Sequence, residues 1–277
     1  MILDGKKVRD DILTSLKDKI DKNKYDITFA IVLIGNNDAS NVYVKNKIKY
    51  AEKIGIKVKL IHKEESSEEE IINIINDLNN DQKISGIILQ SPTPDNINFE
   101  NCIKYISQDK DIDGLTKDNF YKLVNNEKCL HPCTPKGIIR LLKYYNIDLN
   151  GKDVCIIGRG KLVGKPLIFE LLNENATVTV CHTKTKNLKE KTLNADIIIL
   201  GAGKMHLLKE NMIKENVIVV DAGVTIKEGK TYGDADFDNI KDKCLYITPC
   251  IGGVGPMTIA MLLENVIEAY EMENKNG

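Results

Sequence analysis

Tyr43 and Lys47 stand four residues apart in a segment with helical apolar spacing, so they share one helix face. A lysine shuttles protons near neutrality only where burial or neighbouring charge lowers its pKa from about 10.4, and a tyrosine can stack on a flat ring or hold the lysine in place. The same spacing also fits an ordinary surface pair. Gln90 closes an apolar run just before Ser91-Pro92-Thr93-Pro94. Its amide can orient a lysine or a ligand, or satisfy loop backbone. In Lys110-Asp111-Ile112-Asp113-Gly114 an extended segment places two acids on one side, where a carboxylate can accept paired N–H bonds from a flat heterocycle. Asp-Gly is equally a common turn.

A second constellation follows the apolar run Val154 to Ile157. It reads Gly158-Arg159-Gly160-Lys161-Leu162-Val163-Gly164-Lys165-Pro166. Glycines between a buried strand and a helix let backbone approach a pyrophosphate, and the helix start offers free N–H groups. The spacing G-x-G-x-x-x-G is one residue longer than the usual fingerprint. Where an NAD site would place an acid on the ribose hydroxyl, the next strand ends in Cys181-His182-Thr183-Lys184-Thr185. Hydroxyls and a cation there, with Arg159 in the turn, suit a 2′-phosphate and predict NADP over NAD. Cys129, His131 and Cys133 alternate in the manner of metal ligands, yet Pro132 and Pro135 fit an extended run leading into a helix better, and no metal is expected.

The elements that must position these residues alternate. Val8, Ile12, Leu16 and Ile20 recur at helical spacing, and Thr28 to Ile34 reads as a buried strand. A helix from about Ser40 to Ile54, a strand over Val58 to His62, a helix opened by Ser66 with Glu69 as capping box, and a strand from Gly86 to Gln90 follow. The acidic run Glu64 to Glu70 is a solvated helix start. Thr134 is placed as an N-cap with Pro135 first in a helix to about Tyr145. From Lys152 the pattern restarts with strands at Val154–Ile157, Thr177–Cys181, Ile197–Leu200 and Val217–Val220. A last helix, Pro256 to about Glu271, follows a glycine-rich turn and carries apolar residues suited to packing back on the first lobe. Strands separated by helices imply two α/β lobes with largely parallel sheets.

The 277 residues are 42% hydrophobic and carry 39 basic against 40 acidic side chains. The core can be sizeable, and no global charge draws the chain to nucleic acid or an anionic membrane. The start lacks a secretory pattern, no stretch approaches the roughly 18 apolar residues of a membrane span, and seven unpaired cysteines suit a reducing compartment. A soluble cytoplasmic protein is the expectation.

Taken together, Tyr43-Val44-Lys45-Asn46-Lys47, Gln90 to Pro94, Lys110 to Gly114, Pro132 to Pro135, Gly158 to Pro166, Cys181-His182-Thr183, Gly233 to Phe237 and Gly252 to Thr258 resemble the bifunctional methylenetetrahydrofolate dehydrogenase/cyclohydrolase family, from the first helix to the last. The resemblance implies a folate-binding catalytic domain at 1–121 and 257–277 and a Rossmann-like NADP-binding domain at 122–256. Lys47 would be the general acid/base, Tyr43 would pack on the folate, Gln90 would tune the lysine and Asp113 would anchor the pterin. Gly252, Gly253 and Pro256 would line the substrate, and Gly158, Arg159, Gly160, Gly164, Thr183 and Val224 the cofactor. Tetrahydrofolate one-carbon derivatives would be the ligands, in a homodimer serving one-carbon metabolism and purine biosynthesis. Gly160 stands where the family usually has serine, and Gln108, Lys204 and Ile251 where it has proline. These departures fall outside the four chemical residues. A two-lobed NADP dehydrogenase for another acid or pterin would have no need of Tyr43, Gln90 and Asp113 together; against a non-catalytic folate- or nucleotide-binding protein, Lys47, Gln90 and Asp113 all remain in place.

Overall fold

A computed structural model describes residues 1–275, and these divide into two compact units. One comprises Asp11–Cys133 and the chain from Ile259 onward; the other comprises Met1–Asp10 and Thr134–Thr258.

Helix α1 (Gly5–Asn23) begins in the second unit, with buried Val8, and continues in the first, where Ile12, Leu16 and Ile20 are buried as the spacing predicts. Three parallel strands follow, β1 (Thr28–Ile34), β2 (Lys57–Lys63) and β3 (Gly86–Leu89), in the order β2-β1-β3. β1 is central and buried almost throughout, whereas edge strand β2 is largely exposed. The crossovers are α2 (Asp38–Lys53) and α3 (Glu68–Asn80). On α3, Ile71, Ile75 and Leu78 lie at i, i+4 and i+7 and pack on Ala30, Val32, Ile87 and Leu89. Each such side chain contributes about 1.5–3 kcal/mol on burial. The N-cap of α3 is Ser67, which accepts from Glu70 N at 3.1 Å, one residue later than the capping box expected at Ser66. Ser66 Oγ instead donates to the Glu70 side chain at 2.7 Å. The short helices α4 (Phe99–Ile103) and α5 (Lys117–Val124) lead to α6 (Cys133–Tyr144).

Helix α6 starts at Cys133, so Thr134 lies inside its first turn and is not its cap; Thr134 Oγ1 pairs with Thr258 Oγ1 at 3.1 Å. The second unit is built on β4 (Asp153–Ile157), α7 (Gly164–Asn173), β5 (Thr177–Cys181), α8 (Leu188–Asn194), β6 (Ile197–Leu200) and β7 (Val217–Asp221). The hairpin β8 (Thr225–Lys227) and β9 (Lys230–Tyr232), the turn α9 (Phe237–Ile240), β10 (Cys244–Ile247) and α10 (Val254–Lys275) complete the chain. The sheet order β10-β7-β6-β4-β5 is parallel throughout. The N-terminal residues join this unit because Leu3 N donates to Ile247 O at 2.9 Å and Lys6 N to Gly252 O at 3.2 Å.

In both sheets the first strand has its successor on one side and a later strand on the other, β1 between β2 and β3, β4 between β5 and β6. Strand order reverses there, and such reversals leave a crevice at the carboxyl ends of the strands.

Candidate active site

At the first reversal, β1 ends at Gly35, held at φ 81°, and Asn37 caps α2 by accepting from Ser40 N at 3.1 Å. Tyr43 and Lys47 occupy one face of this helix. Lys47 lies beyond the middle of α2, yet helical side chains lean toward the N-terminus, and its Nζ reaches back to donate to Gln90 Oε1 at 2.9 Å. Gln90 follows β3 directly and is 6% exposed, its backbone N–H bound to Val32 O at 2.9 Å. Its Nε2 donates to Ser91 O, which leaves the carbonyl end for the lysine. The amide thus does both things that its sequence position allows.

Burial is the dominant influence on Lys47 and lowers its pKa from the ordinary lysine value; the Asp113 carboxylate and Cys133 thiol oppose it. Burial therefore makes the neutral amine easier to reach than in a solvated lysine. Tyr43 is 56% exposed, its ring open to solvent. Ser40 shares the face at i−3 from Tyr43, and its buried Oγ has no hydrogen-bond partner. Sequence reasoning used Ser40 only as a helix start.

The acidic segment departs from the expectation of two acids on one side of an extended run. Extension ends at Asp111, which bridges to Ile87, and the next residues turn, closed by Gly114 N to Asp111 O at 3.0 Å. The turn separates the two acids. Asp111, 2% exposed, accepts from Thr116 N at 2.7 Å, Asn119 Nδ2 at 3.0 Å and Leu115 N at 3.1 Å, so its role is to hold the loop. Burial raises its pKa, and those bonds oppose the rise. Asp113 is half-buried and left facing Lys47 electrostatically. Gly114 is required at φ 69°, where a Cβ would run into the His131 carbonyl. Asn265, fully buried on α10, donates to Ile112 O at 2.9 Å and His131 O at 2.8 Å, and Cys133 Sγ to Ile112 O at 3.3 Å. The signal for Asn265 was present as one amide among apolar neighbours, with nothing to say what it would hold.

At the second reversal the glycine turn leaves β4 with Gly158 at φ 129°, where a Cβ would overlap Gly201 O. A Cβ on Gly164 would overlap Gly158 O and lie 2.8 Å from Arg159 Cα, so the helix start packs on the turn only with glycine there. A Cβ at Gly160 would meet nothing within 4 Å. A side chain at 160 would thus enter open space and disturb no packing. No side chain caps α7. A crowded glycine cradle below an uncapped helix start fits a pyrophosphate. Arg159 and Thr183 are exposed, as is Val224 beyond β7. The loop after β5 is ordered by His182 N to Thr185 Oγ1 at 2.8 Å and Lys184 N to His182 Nδ1 at 3.1 Å, and no acid stands at its head. These residues fit a dinucleotide with a 2′-phosphate.

Gly252 and Gly253 are buried in the turn before α10, Gly252 at φ 92° with its carbonyl taken by Lys6 N, and Pro256 is half-buried in the first turn of the helix. All three belong to the second unit, whereas Tyr43, Lys47, Gln90 and Asp113 belong to the first. Ile251, just before Gly252, is 67% exposed.

Residues 3–113 match the model of the tetrahydrofolate dehydrogenase/cyclohydrolase catalytic domain, and residues 132–274 that of the tetrahydrofolate dehydrogenase/cyclohydrolase NAD(P)-binding domain. The bifunctional protein FolD of Clostridium novyi is 46% identical over 274 residues, covering 97% of this chain and 99% of that protein. Among solved structures, the bifunctional methylenetetrahydrofolate dehydrogenase/cyclohydrolase FolD of Campylobacter jejuni superposes with a TM-score of 0.95 at 44% identity, over 99% of both chains. The Trypanosoma brucei dehydrogenase-cyclohydrolase, solved with NADP and an inhibitor, superposes with a TM-score of 0.93 at 28% identity, over 99% of this chain and 98% of that one.

Proposed function

Because this chain belongs to the tetrahydrofolate dehydrogenase/cyclohydrolase family, we infer that Lys47, Gln90, Tyr43 and Asp113 are the groups with which it works on folate. The enzyme oxidises 5,10-methylene-tetrahydrofolate to the 5,10-methenyl form with NADP and hydrolyses that product to 10-formyl-tetrahydrofolate. The observation that carries the residue assignment is the buried Lys47 amine held 2.9 Å from Gln90 Oε1, with its pKa lowered by burial.

Asp113 accepts N–H groups of the pterin, Tyr43 lays its exposed ring against the flat part of the substrate, and the orphaned Ser40 hydroxyl takes a polar group of it. In the hydrolytic step the neutral Lys47 amine takes a proton from the water that adds to the methenyl carbon. Moving the remaining hydroxyl proton to N5 breaks the carbon–N5 bond and leaves the formyl group on N10, with one proton released overall. Gln90 keeps the amine aimed and adds no charge that would hold it protonated. Oxidation asks for alignment more than acid–base chemistry, since the folate nitrogens push the hydride out. Bound NADP supplies the hydride acceptor. The unit carrying Lys47 is the folate-binding catalytic domain, and the one carrying the glycine turn binds the cofactor. There the turn's glycines admit the pyrophosphate, Arg159 and Thr183 take the 2′-phosphate, and Val224 lines the nicotinamide side.

Lys47→Met tests the assignment. Hydrolysis of methenyl-tetrahydrofolate is expected to fall by about 10²–10⁴-fold, the range of a general acid/base, with NADP affinity unchanged. Full hydrolysis by this variant would refute the role. Among the described residues no helix is long and apolar enough to cross a membrane, and the enzyme is proposed to act in the cytoplasm as a homodimer joined through the cofactor domain. A monomer mass by light scattering at working concentration would count against the dimer.

A further inference from the structure

Two buried aspartates in the second unit have no part in the chemistry above. Asp234 is fully buried, and Asp221 is 5% exposed beside it. Asp234 Oδ2 accepts from Ala202 N at 2.6 Å and Gly203 N at 3.0 Å, and its Oδ1 accepts from Lys204 N at 2.6 Å. One carboxylate thus gathers three successive N–H groups of the loop that leaves β6. Asp221, at the end of β7, accepts from Gly223 N at 2.9 Å and Ala235 N at 2.8 Å. It therefore ties the start of the Val224 loop to the strand-like segment that carries Asp234. That segment is fixed in turn by Leu208 N to Asp234 O and Asp236 N to Leu208 O, both at 3.0 Å. A Cβ on Gly223 would overlap the Asp234 carboxylate, so the site is closed around it.

The loop so held is the one against which the dinucleotide turn rests, because Gly158 is kept a glycine by the carbonyl of Gly201. Placement passes from Asp234 to the N–H groups of 202–204, and through Gly201 to the glycine turn. We propose that Asp234 is a positioning residue for the dehydrogenase reaction, setting the Gly201–Lys204 wall of the cofactor crevice without touching substrate. This rests on the NADP-linked reading above. Lys204 contributes the third of these N–H groups, and a proline at 204 would carry none.

Asparagine keeps the volume of Asp234 but offers one oxygen and one NH₂. It turns a donor toward the Lys204 N–H or toward those of Ala202 and Gly203. The parent, Asp234→Asn and Lys204→Pro would be assayed for NADP-dependent oxidation of methylene-tetrahydrofolate, for direct NADP binding, and for hydrolysis of methenyl-tetrahydrofolate supplied without cofactor. Reduction of NADP by the parent tests the functional reading by itself. For Asp234→Asn, the KM and Kd for NADP are expected to rise tenfold or more, with kcat for hydrolysis within about twofold of the parent, since the Lys47 site lies in the other unit; these bounds follow from the loss of charge-assisted bonds. Lys204→Pro removes one bond of three and should show a smaller rise in the same direction. NADP binding unchanged in Lys204→Pro, or oxidation and hydrolysis falling in parallel in a folded Asp234→Asn, overturns the proposal.

Discussion

Replacing Gln90 by glutamate puts a charge where the structure has a neutral carbonyl. Gln90 Oε1 lies 2.9 Å from Lys47 Nζ, and the bond from its Nε2 to Ser91 O fixes which end of the amide faces the lysine. At that separation and an effective permittivity of about 20, a unit charge favours the ammonium by about 6 kcal/mol. That corresponds to about four pH units at about 1.4 kcal/mol each. The carboxylate loses hydration on entering the site and meets the Ser91 carbonyl without a donor, which together offset part of the gain. A rise of about two units in the Lys47 pKa is the conservative expectation. The neutral amine then becomes roughly a hundredfold scarcer near neutrality. Methenyl-tetrahydrofolate hydrolysis, followed by absorbance across pH and corrected for the uncatalysed rate, should show its rising limb moved up by about two units in Gln90→Glu. Gln90→Leu loses the same hydrogen bond but adds no charge, so its limb should not rise. A Gln90→Glu profile that keeps the parent's limb would refute the idea that a neutral Lys47, guarded from negative charge by an amide, is the working base.

Gly164→Ala should separate the two activities. Its Cβ would overlap Gly158 O and stand 2.8 Å from Arg159 Cα, forcing the turn aside by roughly 1 Å. A displacement of that size costs about a hundredfold where alignment is the catalysis. Oxidation of methylene-tetrahydrofolate should drop by that order while hydrolysis holds; loss of both, or of neither, would contradict the layout. Burial, helped by the Asp234 charge, pushes the Asp221 carboxyl up to about 6 against its own backbone bonds. The folded state thus holds this proton more tightly than the unfolded chain. The contribution of Asp221 to stability is fully present below about pH 4, is lost as pH rises through about 6, and amounts to roughly 3 kcal/mol. A carboxyl carbon-13 resonance titrating near 6 and assigned to Asp221 is expected; a midpoint in the ordinary aspartate range would dismiss the reading. Asp221→Asn should flatten the stability profile between those pH values.

The apolar strands were legible because a parallel sheet buries both faces and so writes itself as unbroken runs: Thr28–Ile34 and Ile197–Leu200 stand where the runs do. Helix starts were less so. Ser66 and Ser67 are both competent caps, and the choice falls to which hydroxyl meets a free N–H. At Thr134 the side chain finds Thr258 instead, a partner 124 residues away. The pair Lys47 and Gln90 could be named from the sequence but not joined, since their bond depends on how far a helical lysine leans back toward a strand end. Asp111 and Asp113 look equivalent in sequence; three donors, from Leu115, Thr116 and Asn119, claim Asp111 alone. Asp234 was visible only as part of a motif, because its partners are backbone N–H groups, which sequence does not distinguish.

The most direct test follows methylene-tetrahydrofolate with NADP in one cuvette, recording reduced cofactor and the methenyl form together, with methenyl-tetrahydrofolate alone in a second. The account predicts reduced NADP with little methenyl build-up in the first and rapid methenyl loss in the second, the latter abolished by Lys47→Met. A parent enzyme that neither reduces NADP nor speeds methenyl hydrolysis would contradict it.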